Sequence, residues 1–373
     1  MMTKSIIGKW HGLRQGSVGH RTVADILTGS SFLANMSVTH TYEHIFNKMV
    51  SALEWHPDYN LVLIGSRGGD ISLVDLKNRT VKLCHRGGGR GQQITDIKCD
   101  LLDTNWYYTS STSGKIIKQR LDGRDEIILK DTYISDEFYS SSRFSCIDVC
   151  PQRKLLVAGD SRGTIHLMPS CESESLVNSK TNCFSIGVHN SNILHTEFNK
   201  FNSDLFITAS IDCTAKLWDT RMFSSHCSKP LLNIRHSHPL NSATFSLVNG
   251  STLLITNYFD EISVYRGPNW QLERCIKHCH EQTQRFCLLK AKWHPLCELF
   301  LIGTFSSNPS VSGHYYDRPQ AVDVIDPQNG QIKSSLSDGN PGVISISQFN
   351  TSGDIIAAIK GQNLIIFESI DSD

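Results

Sequence analysis

The sequence predicts an all-β protein, a seven-bladed β-propeller preceded by a short N-terminal helical leader. Three observations predict this fold. Similar strand openings recur along the 373-residue chain, beginning at Ser51, Thr95, Ser145, Leu194, Asn241, Leu289 and Ile344. Successive openings lie 44 to 55 residues apart, which fits a four-stranded blade of about 40–45 residues with modest loop insertions. One complete WD signature, LWDTR, occupies Leu217–Arg221.

Each opening is followed by an apolar run, a turn of small residues and a second alternating run, as in LFITASIDCTAKLWD at 205–219. Period-2 alternation buries one face of each strand against the neighbouring blade. The repeats fill residues 47–369, so we assign 47–373 to the propeller. We expect a strand near Ile45–Val50 to complete the last blade and close the ring, which removes exposed sheet edges.

Residues 1–46 form the predicted leader. Thr22 to Asp25 resembles a helix-capping box, and Gly29 is a helix stop. Apolar residues follow at helical spacing: Val23, Ile26 and Leu27, then Phe32, Leu33 and Met36, then Tyr42, Ile45 and Phe46. This pattern predicts two short amphipathic helices joined by a loop. They either pack on the propeller or insert into a partner as an exposed hook.

Composition indicates an intracellular, soluble chain. No stretch approaches the roughly 18 consecutive apolar residues of a membrane span, and the first residues lack a secretory apolar run. The twelve cysteines are spread singly, without a disulfide-like framework. Lys plus Arg and Asp plus Glu both number 36, so no overall basic field indicates a nucleic-acid partner, although a local basic face is compatible with this balance.

No converging catalytic constellation is present, so we expect a binding platform rather than an enzyme, with no cofactor. The glycine-rich run Gly87–Gly91 opens no helix and is interpreted as a flexible loop carrying Arg86 and Arg90 outward. Two Cys and two His lie within Cys275–His280, too close together for a regular tetrahedral zinc site, which predicts an exposed polar loop without metal. The histidines of the two WHP turns are expected to hydrogen-bond within their blades.

Basic residues cluster in turns and strand-entry loops of the first three blades. They are Arg67, Arg86, Arg90, Arg143 and Arg162. Separated basic side chains on one face of a propeller could follow a phosphate backbone. The alternative is solubilising surface charge.

Four sequence stretches in this order carry a more specific resemblance: SALEWHP…GSRGGDI, the LWDTR box, HSHPLNSATFS at His236–Ser246, and LLKAKWHP…FLIGTF. Together they resemble the small, damage-recognising subunits of the UV-damaged-DNA-binding complex, a WD-repeat family. The resemblance runs from about Ser5 to Ser369 and includes the leader. It implies a nuclear protein that lacks the long basic N-terminal tail of the vertebrate members.

The resemblance implies two partners. The propeller would bind photolesions in duplex DNA, and the leader would dock into a large three-propeller subunit that connects it to a cullin-4 ubiquitin ligase. The Asp-x-Arg pair of the WD box, Asp219 and Arg221, would support that docking. Their alternative role is a blade-closing hydrogen bond and an exposed guanidinium.

The DNA-binding residues implied by the resemblance are Lys48, Arg67, Arg143, Asn192, Gln284 and Arg285. Lys48 and Arg67 match basic family positions, whereas Asn192 stands at a family lysine and Arg143 at a family aromatic position. The family inserts an aromatic–Gln–His hairpin into DNA, and the same places here hold Thr283, Gln284 and Arg285. A wedge works by filling an unstacked step with apolar surface, so this chain is expected to recognise lesions with altered or weakened specificity.

Two functions therefore stay open from sequence. The first is a damaged-DNA-binding substrate receptor of a cullin-4 ligase acting in nucleotide excision repair. The second is a chromatin-associated scaffold or ligase receptor with the same leader and WD box but without lesion-specific DNA binding.

Overall fold

The computed structural model describes residue 33 and residues 35–57, 60–89, 91–132, 142–170, 184–223, 229–280, 288–305, 320–340 and 342–369. Within these ranges the chain forms seven four-stranded antiparallel sheets. The first strands of neighbouring blades contact one another, and the first blade contacts the seventh, so the sheets close into a ring. The predicted seven-bladed propeller is confirmed.

Blades 1 to 6 each use four consecutive strands. Blade 1 contains β2 (Val50–Trp55), β3 (Leu61–Ser66), β4 (Ile71–Asp75) and β5 (Thr80–His85). Blade 2 contains β6 (Ile94–Cys99), β7 (Trp106–Ser111), β8 (Lys115–Arg120) and β9 (Glu126–Asp131). Blade 3 contains β10 (Phe144–Cys150), β11 (Leu155–Asp160), β12 (Thr164–Pro169) and β13 (Phe184–Gly187). Blade 4 contains β14 (Ile193–Phe198), β15 (Leu205–Ser210), β16 (Thr214–Asp219) and β17 (Leu232–Arg235), with a 3-10 turn at Thr220–Met222.

Blade 5 contains β18 (Leu240–Phe245), β19 (Thr252–Asn257), β20 (Glu261–Arg266) and β21 (Gln271–Lys277). Blade 6 contains β22 (Lys292–Trp293), β23 (Phe300–Gly303), β24 (Val322–Ile325) and β25 (Ile332–Leu336). Blade 7 contains β26 (Ile344–Phe349), β27 (Ile355–Lys360) and β28 (Asn363–Ser369), and its fourth strand is β1 (Met36–Tyr42).

The strand that closes the ring lies earlier than predicted. β1 pairs with β28 from Met36 opposite Ser369 to Tyr42 opposite Leu364, so strand pairing of the propeller begins before residue 47. The expected closing strand near Ile45–Val50 is wrong, because that segment connects β1 to β2 and only Val50 is in a strand. The apolar spacing around Met36 suggested a helix, but the run MSVTHTY alternates and is rich in β-branched residues, which suits an outer strand.

The helical leader lies almost wholly outside the described residues, and so do Val23, Ile26, Leu27 and Phe32. Leu33 is described and is 5% exposed. It packs among apolar residues of blades 6 and 7, and its carbonyl oxygen accepts a hydrogen bond of 2.9 Å from Ser334 Oγ. Leu33 therefore contacts its own propeller.

The hydrophobic core lies between blades. Val62 and Ile64 of blade 1, for example, pack against Ala357 and Ile359 of blade 7, and all four side chains are fully buried. Blade-to-blade packing follows from the period-2 pattern, because a strand turns alternate side chains toward the neighbouring sheet. Burying these side chains gives the ring its rigidity.

Hydrogen bonds between neighbouring inner strands add to this packing. Carboxylate oxygens of Asp96, Asp148 and Glu197 accept backbone N–H bonds from the following blade, at Ile147 (3.2 Å), Phe198 (2.7 Å) and Phe245 (2.8 Å). Asp148 and Glu197 hold equivalent places on their inner strands, whereas Asp96 stands two residues earlier on its own. These bonds hold blades 2 to 5 in register with one another.

The two WHP histidines also join blades, which corrects the expectation that they bond within one blade. His56 Nε2 lies 2.7 Å from the Thr104 carbonyl oxygen of blade 2, and His294 Nε2 lies 3.0 Å from that of Gly353 in blade 7. The Nδ1 atom of His294 accepts the N–H groups of Leu296 and Cys297. Burial lowers the pKa of His294 to about 4, so the ring is neutral and keeps this bonding at neutral pH.

Blade 4 contains a buried hydrogen-bond relay behind the WD signature. Trp218 Nε1 donates to Thr208 Oγ1 at 3.0 Å, Thr208 Oγ1 lies 2.8 Å from His189 Nε2, and His189 Nδ1 lies 3.0 Å from Asp212 Oδ2. Burial lowers the pKa of His189, so the neutral imidazole accepts from Thr208 and donates to Asp212. The relay joins β15 and β16 to the connection that leads into β14 and to the turn between β15 and β16.

The segment Cys275–His280 differs from the exposed polar loop that we predicted. Cys275 lies in β21, whereas His278 and His280 are 6% and 0% exposed. The two Nδ1 atoms lie 3.2 Å apart, and His278 Nε2 lies 3.3 Å from Asp323 Oδ2. No group of three candidate metal ligands occurs among the described residues.

None of the helices in the described ranges has the length and hydropathy that a membrane span requires.

Candidate nucleic-acid interface

The antiparallel topology separates the connections of the ring onto two faces. The Arg67 face carries the connections that lead into each inner strand and the turns between the second and third strands, such as 67–70 and 161–163. The Arg221 face carries the turns after each inner strand and after each third strand, such as 199–204 and 220–223. Apart from Leu33, which packs against blades 6 and 7, every predicted site residue that the structure describes lies on one of these faces.

The rim of the Arg67 face is built from equivalent positions of successive blades. In each of blades 1 to 5, the residue before the inner strand accepts a backbone hydrogen bond from the turn residue after the second strand. These pairs are Met49 with Arg67, Gln93 with Thr112, Arg143 with Ser161, Asn192 with Ile211 and Pro239 with Tyr258. Because the backbone pairing is regular, side-chain identity alone distinguishes one rim position from the next.

A central cavity of about 520 Å³ opens at this rim. Its lining includes Arg67, Arg143 and Asn192, three of the residues that the resemblance assigns to DNA. They come from blades 1, 3 and 4, and Arg67 and Asn192 are 125 positions apart in the sequence. The fold therefore brings them together at one opening.

Basic side chains at the rim belong to blades 1 and 3. Lys48 and Arg143 are exposed, and neither forms an ion pair within the described part of the chain. Lys48 passes beside the Arg67 turn, where a Cβ atom on Gly68 would lie 3.3 Å from Lys48 Cγ. Arg162, one residue beyond the rim pair of blade 3, is also exposed. This half of the face carries the positive charge that a phosphate backbone requires.

Asn192 is held by its neighbour in blade 3. Ser145 Oγ donates to Asn192 Oδ1 at 2.6 Å. This bond orients the side-chain amide, so its NH₂ group can donate a hydrogen bond to a ligand. Asn192 is half-buried at the cavity mouth. It can therefore hydrogen-bond a phosphate or base edge, but it adds no charge.

The cavity wall below the rim is strongly charged. Lys98 and Glu54 form an ion pair of 3.2 Å, and Lys290 Nζ donates to the Leu194 carbonyl oxygen at 2.8 Å. Burial lowers the pKa of Lys290, and burial raises the pKa of Glu197, which lines an adjoining cavity beyond Glu54 and Lys98, to about 7. The wall contains the carboxylates of Glu54 and Asp96 beside the ammonium groups of Lys98, Lys290 and Lys292, so its charges largely offset one another.

Gln284 and Arg285 fall in residues 281–287, outside the described part of the chain. The residues that flank this segment are described. His280 is buried at the Arg67 face, where its N–H donates to Asp260 Oδ1 at 2.6 Å, and Leu288 lines the central cavity. The segment is thus attached to the ring on both sides at the face of Arg67, Arg143 and Asn192.

Asp219 and Arg221 lie on the opposite face. Arg221 binds Asp219 with two parallel hydrogen bonds, Nε to Oδ1 at 3.0 Å and Nη2 to Oδ2 at 2.6 Å. These bonds lower the pKa of Asp219, while 63% of the Arg221 side chain stays exposed. Met36, where the described strand β1 begins, pairs with Ser369 at this same face.

Sequence reasoning missed several residues of the Arg67 face. Lys290 and Lys292 are two positions apart near an inner strand and both line the cavity, so the K-x-K pattern in LKAKWHP was a usable signal. Phe259 is 45% exposed on the turn after β19. Its exposure depends on the geometry of the turn. In the sequence, Phe259 follows the apolar run of β19, and nothing in that pattern distinguishes it from a buried residue.

Comparison with known proteins gives a match to one repeat and relatives that align with most of this chain. Residues 182–219 match the model "WD domain, G-beta repeat". The chain is 32% identical over 327 residues to DNA damage-binding protein 2 of Gallus gallus, covering 86% of this chain and 62% of the relative. It is 31% identical over 332 residues to the Danio rerio protein of the same name, covering 88% of this chain and 63% of the relative.

The Mus musculus protein of that name is 30% identical over 367 residues, which covers 95% of this chain and 80% of the relative. The chain spans less than two thirds of the length of the chicken and zebrafish relatives.

Proposed function

Because the chain belongs to the DNA damage-binding protein 2 family, we propose that it binds damaged duplex DNA on its Arg67 face. It acts there as a binding platform without catalysis of its own, in nucleotide excision repair in the nucleus. The observation that carries this proposal is the convergence of Arg67, Arg143 and Asn192 at one opening of the central cavity.

The arrangement fits the physical requirements of DNA binding. Exposed guanidinium and ammonium groups on blades 1 and 3 supply the phosphate contacts, which fix orientation without reading sequence. A damaged base pair is easier to unstack than an intact one, so a protein that stabilises an unstacked step prefers damage. We assign that step to Gln284 and Arg285, whose segment is attached to the same face. Gln284 can hydrogen-bond exposed base edges, and the planar guanidinium of Arg285 can stack on them.

The direct test is a titration of the purified chain with a duplex containing one photodimer and with the matched undamaged duplex. At about 150 mM salt, where non-specific binding is weak, we expect at least tenfold tighter binding to the photodimer duplex. The double variant Gln284→Ala/Arg285→Ala should bring the two affinities together. Equal affinities for the wild-type chain would instead support the scaffold function without lesion recognition.

We further propose that the Arg221 face and the leader dock into the large three-propeller subunit of the UV-damaged-DNA-binding complex, and through it into a cullin-4 ligase. Two observations support this assignment. The Asp219–Arg221 pair presents an oriented, largely exposed guanidinium, and β1 begins at Met36 on the same face, so the leader joins the ring there. DNA and the ligase partner would then occupy opposite faces and bind at the same time.

Deletion of residues 1–32 tests this docking. It removes Val23, Ile26, Leu27 and Phe32 but spares Leu33 and β1, which a longer deletion would take from blade 7. We expect loss of co-purification with the large subunit and unchanged affinity for duplex DNA. Arg221→Glu should weaken the same complex about tenfold, by removing a charged contact at the interface. Full retention of the complex by both variants would contradict the assignment.

A further inference from the structure

We infer that Phe259 is a base-stacking residue of the Arg67 face, a contact that deepens the proposed DNA-binding function and rests on it. Among the described phenylalanines, Phe201 and Phe259 are the exposed ones, at 60% and 45%. Phe201 lies in the turn 199–204 on the Arg221 face. Phe259 lies in the turn 258–260, at the rim position of blade 5 that corresponds to Arg162 in blade 3.

The turn that carries Phe259 is fixed in place. Asn257 Oδ1 accepts the N–H groups of Phe259 at 2.9 Å and Glu261 at 3.2 Å, and Tyr258 N donates to the rim carbonyl of Pro239 at 2.9 Å. The ring of His238 lies 4.5 Å from the Phe259 ring, centroid to centroid, with an interplanar angle of 45°. A preorganised aromatic ring loses little conformational entropy on contact with a ligand.

The same turn is joined to the segment that precedes Gln284 and Arg285. Asp260 accepts the N–H of His278 through its carbonyl oxygen at 3.0 Å and the N–H of His280 through Oδ1 at 2.6 Å. Phe259 is therefore held next to the attachment point of residues 281–287.

The chemistry of the exposed ring indicates an unstacked base as its ligand. An exposed phenyl ring offers no hydrogen bond and no charge, but it stacks on the π-face of any base. Paired bases in an intact duplex are already stacked and do not present that face. Phe259 is expected to add affinity for unstacked nucleotides and none for intact duplex.

The experiment measures the affinities of wild type, Phe259→Ala and the matched control Phe201→Ala for three probes. The probes are a photodimer duplex, its undamaged counterpart and a single-stranded oligonucleotide of the same sequence. We expect Phe259→Ala to bind the photodimer duplex and the single strand about tenfold more weakly, and the undamaged duplex as wild type does. Phe201→Ala should leave all three affinities unchanged. In Phe259→Trp, the added indole fluorescence should be quenched by the single strand.

The outcomes distinguish this inference from the proposed function. If wild type does not prefer the photodimer duplex, the proposed function fails, and the single-strand affinity and Trp quenching still decide the role of Phe259. If wild type does prefer it but Phe259→Ala binds the photodimer duplex and the single strand normally, the stacking role is overturned alone. Equal weakening of all three probes would also overturn it, because that result indicates a structural change.

Discussion

Reversing two charges at the rim of the Arg67 face, in Arg67→Glu/Arg143→Glu, is expected to weaken duplex DNA binding about 100-fold at 150 mM salt. Each reversal removes one phosphate contact and places a carboxylate beside the phosphate backbone, which costs roughly tenfold in affinity. Phosphate contacts carry no sequence or damage information. The affinities for photodimer and undamaged duplexes should therefore fall by the same factor, and the dependence of affinity on salt should become shallower.

The matched control places the same charge change on the other face. Lys77 and Arg124 lie in turns after third strands of blades 1 and 2, both exposed, with 83% of the Arg124 side chain accessible. Lys77→Glu/Arg124→Glu should leave duplex affinity nearly unchanged, because charges a ring thickness away are screened at this salt concentration. If both double variants lose affinity equally, binding reflects net charge and not a defined interface.

Trp218→Ala is expected to lower the free energy of unfolding by about 3–5 kcal/mol, the range for removing a large buried aromatic side chain. Trp218 is 2% exposed and packs against Phe206 and Phe223, with ring centroids 6.2 Å and 5.8 Å away. The substitution also leaves Thr208 without its indole donor, at the end of the relay through His189 to Asp212. Denaturant unfolding of wild type and variant measures the difference.

Two further variants separate packing from hydrogen bonding. Trp218→Phe keeps most of the buried surface but removes the N–H group. It should therefore lower the free energy of unfolding by about 1–2 kcal/mol. Leu83→Ala, at a strand position that is 45% exposed, should change stability by less than about 0.5 kcal/mol. If Trp218→Ala lowers the free energy of unfolding as little as Leu83→Ala does, the stability of blade 4 does not depend on its WD tryptophan.

The blades were predictable because the information that defines them is local. Strand openings, apolar runs and turn residues repeat along the chain, and the observed inner strands begin at or within three residues of the seven predicted openings. The closing strand was misplaced because its partner, β28, is at the far end of the sequence. A short alternating run such as MSVTHTY also shares apolar spacings with a helix, and tertiary pairing decides between them.

The site residues also divide into features that the local sequence predicts and features that depend on contacts between distant segments. Arg67 and Arg143 stand out in sequence as basic residues in turns, but their common opening depends on ring closure. His56, His278 and His294 were misassigned because their partners, Thr104, Asp323 and Gly353, belong to other blades. Contacts between repeats leave no local pattern. Only the placement of the blades reveals them.

Closure of blade 7 by β1 has a consequence for how the chain folds during synthesis. Blades 1 to 6 can each form from a continuous stretch, but β1 is translated before them all and finds its partner only after β28 has emerged. Thr39 Oγ1, which donates to the Ile366 carbonyl oxygen, bridges 327 positions of sequence. Contacts of such long range form late, because closing a long loop loses chain entropy before the contacts that it allows can stabilise the structure. Until then β28 is an open sheet edge, the kind of surface that promotes aggregation of a nascent chain.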